Sequence, residues 1–205
     1  MISVGGLAPA LIFVRNFERN YIDMSGMNYI TDVVEKLVNK YDTRDPFELC
    51  KALGVTIRYK DLDKYMKAYF FYQSRIKSII INNNVADVLR RILCAHELGH
   101  AVLHCELAMM NSFQEIELFD ATQPAEYEAN LFAAELLIPD DELLELLNDD
   151  SKSFFGVASE LYVPAELLDF KFRVLKNKGY RLEAPLLSQS NFLKNDIGGC
   201  FDNDY

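Results

Sequence analysis

The tightest constraint in this 205-residue chain is a spacing: His96 and His100 stand four residues apart, with Glu97 directly after the first. On an α-helix, positions four apart are offset by about 40° around the axis and about 6 Å along it, so both imidazoles can reach one metal ion. Glu97 then sits about 100° from His96, off the ligand face but able to accept a proton from water at an open coordination position. One helix thus supplies two ligands and a general base, the constellation of a zinc hydrolase.

The helix is well specified. Asn83 or Asn84 is expected to cap it and Asp87 suits its first turn, while Val85, Val88, Leu89, Ile92 and Leu93 recur at helical spacing, which predicts a helix over 85–105. After Ile92 the run is almost wholly apolar, so the motif is expected on a buried helix. The three histidines of the chain fall at 96, 100 and 104. The outer two would lie about 12 Å apart along the axis, too far for one ion, so His104 is expected to support a ligand or cap the helix end.

A catalytic zinc site takes three protein ligands and leaves a fourth position for water. The third is sought in residues 124–139, a predicted helix with Pro124 in its first turn and Pro139 as its stop. Glu128 lies one turn before Phe132 and just under one before Leu131, which places it on the inward side. It is therefore the expected third ligand. Glu126, nearer the helix start, reads as an acid favoured there by the macrodipole. Ala129, Ala133 and Ala134 would let this helix approach the His96 helix closely.

The combination of Ala95-His96-Glu97-Leu98-Gly99-His100, Leu103-His104, Glu128-Ala129-Asn130, Phe132-Ala133 and Leu136-Leu137-Ile138-Pro139 resembles the ImmA/IrrE family of bacterial and phage-encoded metallopeptidases. The resemblance extends upstream through residues 41–47, Leu53-Gly54-Val55 and Ile79-Ile80-Ile81-Asn82, and covers about residues 27–175. It implies a zinc-dependent endopeptidase with His96, His100 and Glu128 on Zn2+ and Glu97 as base, and the lack of an apolar stretch able to span a bilayer points to a cytoplasmic one. The implied substrate is a helix-turn-helix transcriptional repressor, whose cleavage would relieve repression of a prophage, mobile element or stress response. The alternative is a non-proteolytic regulatory module that sequesters a repressor or toxin, with zinc structural.

The expected fold class is α+β: a zincin-like helical metal site packed against a small β-sheet, followed by a helical C-terminal part. Strands are expected over 55–59, 67–72 and 75–81, after helices over 29–40 and from Asp45-Pro46 to Gly54. Residues 27–150 would form the peptidase domain and 151–182 the helical part. Residues 1–26 read as an extension, non-native or disordered, and 183–205 as a flexible tail. The apolar connection 106–123 would cover the cleft, line a substrate pocket or pack in the core. The helices on either side of Val163-Pro164 outline a helix-turn-helix, but a packing or partner-docking pair is the expectation.

Charge and cysteine usage narrow the partners. Residues 92–151 hold fourteen Asp or Glu and no Lys or Arg, within a chain of net charge −10. An electronegative active-site half attracts divalent cations and basic proteins, and argues against direct nucleic-acid binding. No apolar stretch is long enough to span a bilayer, and the start lacks a basic region before Leu7–Val14, so no membrane partner is expected. Cys50, Cys94, Cys105 and Cys200 form no C-x-x-C pair and read as reduced thiols. Tyr69, Tyr72 and His104 are candidates for stabilising an oxyanion.

Overall fold

The computed structural model describes residues 24–105, 124–149 and 151–182. The expectations for the amino-terminal extension, the 106–123 connection and the tail fall largely or wholly outside these residues. The described residues form an α+β fold of seven helices and one three-stranded sheet. None of these helices is long and apolar enough to cross a membrane.

Helix α1 (Met24–Tyr41) begins five residues ahead of the expected start at Tyr29. It leads into α2 (Pro46–Ala52), which opens as its sequence dictates. The Asp45 carboxylate accepts from the amides of Phe47 and Glu48 at 2.7 and 3.0 Å, and Pro46 lacks the amide that would otherwise need a partner. Gly54, at φ +69°, then turns the chain into β1 (Val55–Lys60).

Strands β2 (Ala68–Gln73) and β3 (Ile76–Asn82) make a hairpin across Ser74 and Arg75. Both turn residues have positive φ, 52° and 67°, the geometry that matches a two-residue turn to strand twist. The sheet order is β1-β3-β2, with β1 parallel and β2 antiparallel to β3. As the middle strand, β3 buries Ile79, Ile80 and Ile81 in succession, which is why its sequence is continuously apolar rather than alternating. Asn82 closes the strand: its amide donates to the carbonyls of Leu62, Asp63 and Met66 and its oxygen accepts from the Asn84 amide.

Helix α3 (Asp87–Leu103) follows without a side-chain cap. Its N-cap is Ala86, whereas Asn83, one of the expected caps, instead donates its side chain to Asp61 at 2.9 Å. Asp87 does occupy the first turn and accepts from Arg90. Helix α4 (Pro124–Leu137) packs on α3, α1 and α7, and α3 also rests on α2, β2 and β3. After α5 (Asp140–Leu147) and α6 (Phe154–Glu160), helix α7 (Ala165–Asn177) lies against α4. It buries Leu167, Leu168, Phe170, Phe172, Val174 and Leu175, and α6 packs against it.

An ionic cluster ties α4, α5 and α7 together. Lys171, fully buried, contacts Glu135 at 2.5 Å and also Asp140, while Lys178 reaches Glu135 at 2.8 Å and Asp140 at 2.7 Å. Arg44 donates to the carbonyls of Glu135 and Leu136 at 2.9 and 3.2 Å, occupying acceptors at the end of α4 that have no partner inside the helix.

Candidate metal centre

Helices α3 and α4 meet where side chains are smallest. A Cβ added to Gly99 would lie 3.2 Å from the Ala129 Cα and 3.3 Å from both the Ala129 carbonyl oxygen and the Phe132 Cβ, so the two backbones touch at Gly99 and Ala129. One turn to either side of this crossing, polar groups face each other in an apolar setting.

His96, His100 and Glu126 converge there, each 5 to 7% exposed. The Nε2 atoms of His96 and His100 are 3.2 Å apart, and Glu126 places one carboxylate oxygen 3.4 Å from His96 Nε2 and the other 3.6 Å from His100 Nε2. Donors bound tetrahedrally at about 2.0–2.1 Å from one ion stand about 3.4 Å apart. The three side chains thus already have the spacing of a ligand set. Two imidazoles and a carboxylate suit zinc or a neighbouring transition metal better than magnesium or calcium, which take oxygen ligands.

The structure brings Glu126, and not the expected third ligand Glu128, to the two histidines. Glu128 does not join His96 and His100: its Oε2 lies 2.9 Å from His104 Nε2, and its side chain is 34% exposed. Helix α4 is buried around most of its circumference, so proximity to Leu131 and Phe132 selects no single face. The face turned to α3 is instead marked by Ala129 against Gly99. Glu126, three residues before Ala129 and four before Asn130, is carried by that face to His96 and His100, whereas Glu128 reaches α3 only at its C-terminal end, at His104.

His96 is held by Asn130, which is fully buried; the imidazole Nδ1–H donates to the Asn130 Oδ1 at 2.9 Å, leaving the Nε2 lone pair to face the site. Burial pulls the His96 pKa down, but the bond to Glu126 and the charges of Glu97 and Glu126 outweigh it and raise it above the ordinary value. A proton and a cation compete for this nitrogen. Glu97 is 7% exposed and close enough for its charge to act on His96.

His104 sits at the C-cap of α3 with 6% exposure, its Nδ1 3.1 Å from the Nδ1 of His100. Tyr69 and Tyr72 lie on β2, the edge strand that adjoins α3. Cys50 and Cys94 are buried free thiols with sulfurs 3.8 Å apart; the Cys50 bond and burial push the Cys94 thiol far above its usual range, which keeps it protonated.

Two buried histidines and a glutamate on crossed helices could hold a metal ion, and a second glutamate stands beside the first histidine, the arrangement that a metal-dependent hydrolase requires. Residues 50–173 match the family model described as the IrrE N-terminal-like domain, a peptidase family. The chain is 35% identical over 147 residues to the "Uncharacterized immunity region protein 2" of Bacillus phage phi105, covering 69% of this chain and 92% of that one. It is 27% identical over 151 residues to metallopeptidase ImmA of Bacillus subtilis strain 168, covering 67% and 80%. The chain belongs to the ImmA/IrrE family of metallopeptidases.

Proposed function

We propose that the chain is a zinc-dependent endopeptidase of the His-Glu-x-x-His type that cleaves a helix-turn-helix transcriptional repressor, with His96, His100 and Glu126 as the metal ligands. The convergence of those three side chains at donor spacing carries the reading. Three protein ligands is the number found in catalytic zinc sites, which keep a fourth position for water. When bound, the ion supplies a Lewis acid that polarises the scissile carbonyl and acidifies water.

Glu97 is the general base: it takes the proton of the attacking water and returns it to the leaving amine, so the peptide bond breaks with one water consumed. Asn130 orients His96 throughout. Strand β2 pairs with β3 on one side only, within the described residues, and offers its other edge to an extended substrate beside α3. The acidic stretch 92–151 favours a basic protein as that substrate, and a repressor is basic on its nucleic-acid face. Relatives named for a phage immunity region and for ImmA support a role in relieving repression.

The test pairs zinc content with repressor cleavage. His96→Ala and Glu126→Ala should lose zinc, and Glu97→Gln should keep zinc and repressor binding while cleavage falls about 100-fold or more. A Glu97→Gln protein that relieves repression as well as the native one would replace proteolysis with sequestration.

A further inference from the structure

We propose that Glu128 and His104 form a hydrogen-bond relay that fixes the tautomer of His100, so that its Nε2 lone pair is always presented to the metal position. The inference deepens the metal reading above and rests on it.

The relay is a line of three groups. Glu128 Oε2 lies 2.9 Å from His104 Nε2, and His104 Nδ1 lies 3.1 Å from His100 Nδ1. Two facing ring nitrogens at that distance share one proton, and it can belong to either ring. If His104 held it, His100 would carry its own proton on Nε2, where the ion must bind. If His100 holds it, Nε2 is bare.

Glu128 decides between these states. An ionised carboxylate only accepts, so His104 must turn an N–H toward it from Nε2. Neutral His104 then has a bare Nδ1, which accepts from His100 Nδ1–H, and the His100 Nε2 is left as a lone pair. Asn130 does the same for His96 in one step, through the 2.9 Å bond to Nδ1. Glu126, Glu128 and Asn130 all come from α4. That helix therefore supplies one ligand and sets the donor polarity of the other two. In this account Glu128 and His104 are positioning residues: they touch neither the metal position nor the reacting atoms.

Glu128→Gln is the sharp variant, because glutamine keeps the shape yet can donate as well as accept and so releases the constraint. Glu128→Ala serves as a second, non-bonding variant. In metal-free protein labelled with 15N histidine, long-range proton–nitrogen correlation spectra report which nitrogen of His100 is protonated. The native protein should show Nδ1–H alone, and both variants should populate Nε2–H. Zinc affinity, measured by competition with a chromogenic chelator, should fall about 10- to 100-fold while the circular dichroism spectrum is retained. His100 keeping Nδ1–H in both variants would overturn the relay, as would a zinc affinity unchanged within twofold or a His104 protonated on both nitrogens in the native protein. The tautomer measurement needs no metal. If the native protein shows the expected tautomers but His96→Ala and Glu126→Ala bind zinc as the native chain does, the metal reading fails and the relay stands.

Discussion

Replacing Gly99 by alanine adds one methyl group at the point where α3 and α4 touch, and two opposing effects set the result. Alanine is the better helix former, worth about 1 kcal/mol over glycine in a helix interior. Against that, the new Cβ would lie 3.2 Å from the Ala129 Cα, where carbon pairs prefer about 3.5–4.0 Å. The atoms it meets are Ala129 backbone and the Phe132 Cβ, none of which can rotate away. The helices must separate by roughly 0.3–0.8 Å, and overpacking of this kind costs about 1–3 kcal/mol. Overpacking wins, for a net loss near 1 kcal/mol. The same separation carries Glu126 away from His96 and His100 by more than the roughly 0.2 Å that metal–ligand distances tolerate. Urea unfolding of the metal-free variant should show the lower stability, and chelator competition should show zinc affinity reduced about 10-fold or more. An alanine variant that is more stable by about 1 kcal/mol, with native zinc affinity, would refute the close-contact argument.

Lys171→Met should cost about 3 kcal/mol in urea unfolding, because it removes a cation from Glu135 in a buried setting, and Lys171→Met with Glu135→Leu should recover more than half of that. A single variant as stable as the native protein would refute the role given to the cluster. Burial alone would raise the Asp140 carboxyl, but hydrogen bonds from Lys171 and Lys178 hold it below its ordinary value. Its contribution is therefore complete above the unfolded-state value of about 3.9 and is lost as pH falls through the lower folded-state value. Asp140→Asn should flatten the decline of the urea midpoint below about pH 4, and an acid limb identical to the native one would count against the pairing.

Structure is legible in the sequence where a residue acts through its immediate neighbours. The four-residue spacing of His96 and His100 alone predicts that their imidazoles meet on one helix, as they do in α3, and Asp45-Pro46 starts α2 because its hydrogen bonds reach only two and three residues ahead. It is not legible where a partner lies far along the chain. Asn83 is free in sequence to cap α3, but Asp61 takes its side chain, and α3 begins uncapped at Ala86. The choice between Glu126 and Glu128 depended on which face of α4 meets α3, and an almost wholly buried helix carries no polar stripe to orient it. A usable signal was present in the small residues: counting back from Ala129, Asn130 and Ala133 by three, four and seven positions reaches Glu126. Nothing local in the sequence pairs Lys171 with Glu135, which lie 36 positions apart.

Helix α4 also works as a lever. Its fulcrum is the crossing at Ala129, about 4.5 Å along the axis from Glu126 and about 9 Å from Glu135 at 1.5 Å per residue. The far arm is gripped by Arg44, Lys171 and Lys178; the near arm carries the carboxylate that faces His96 and His100. A tilt that moves the gripped end by about 1 Å moves Glu126 by about half as much in the opposite direction. Changes on α7, which packs on α4, are thereby scaled down and delivered to Glu126 with their sign reversed.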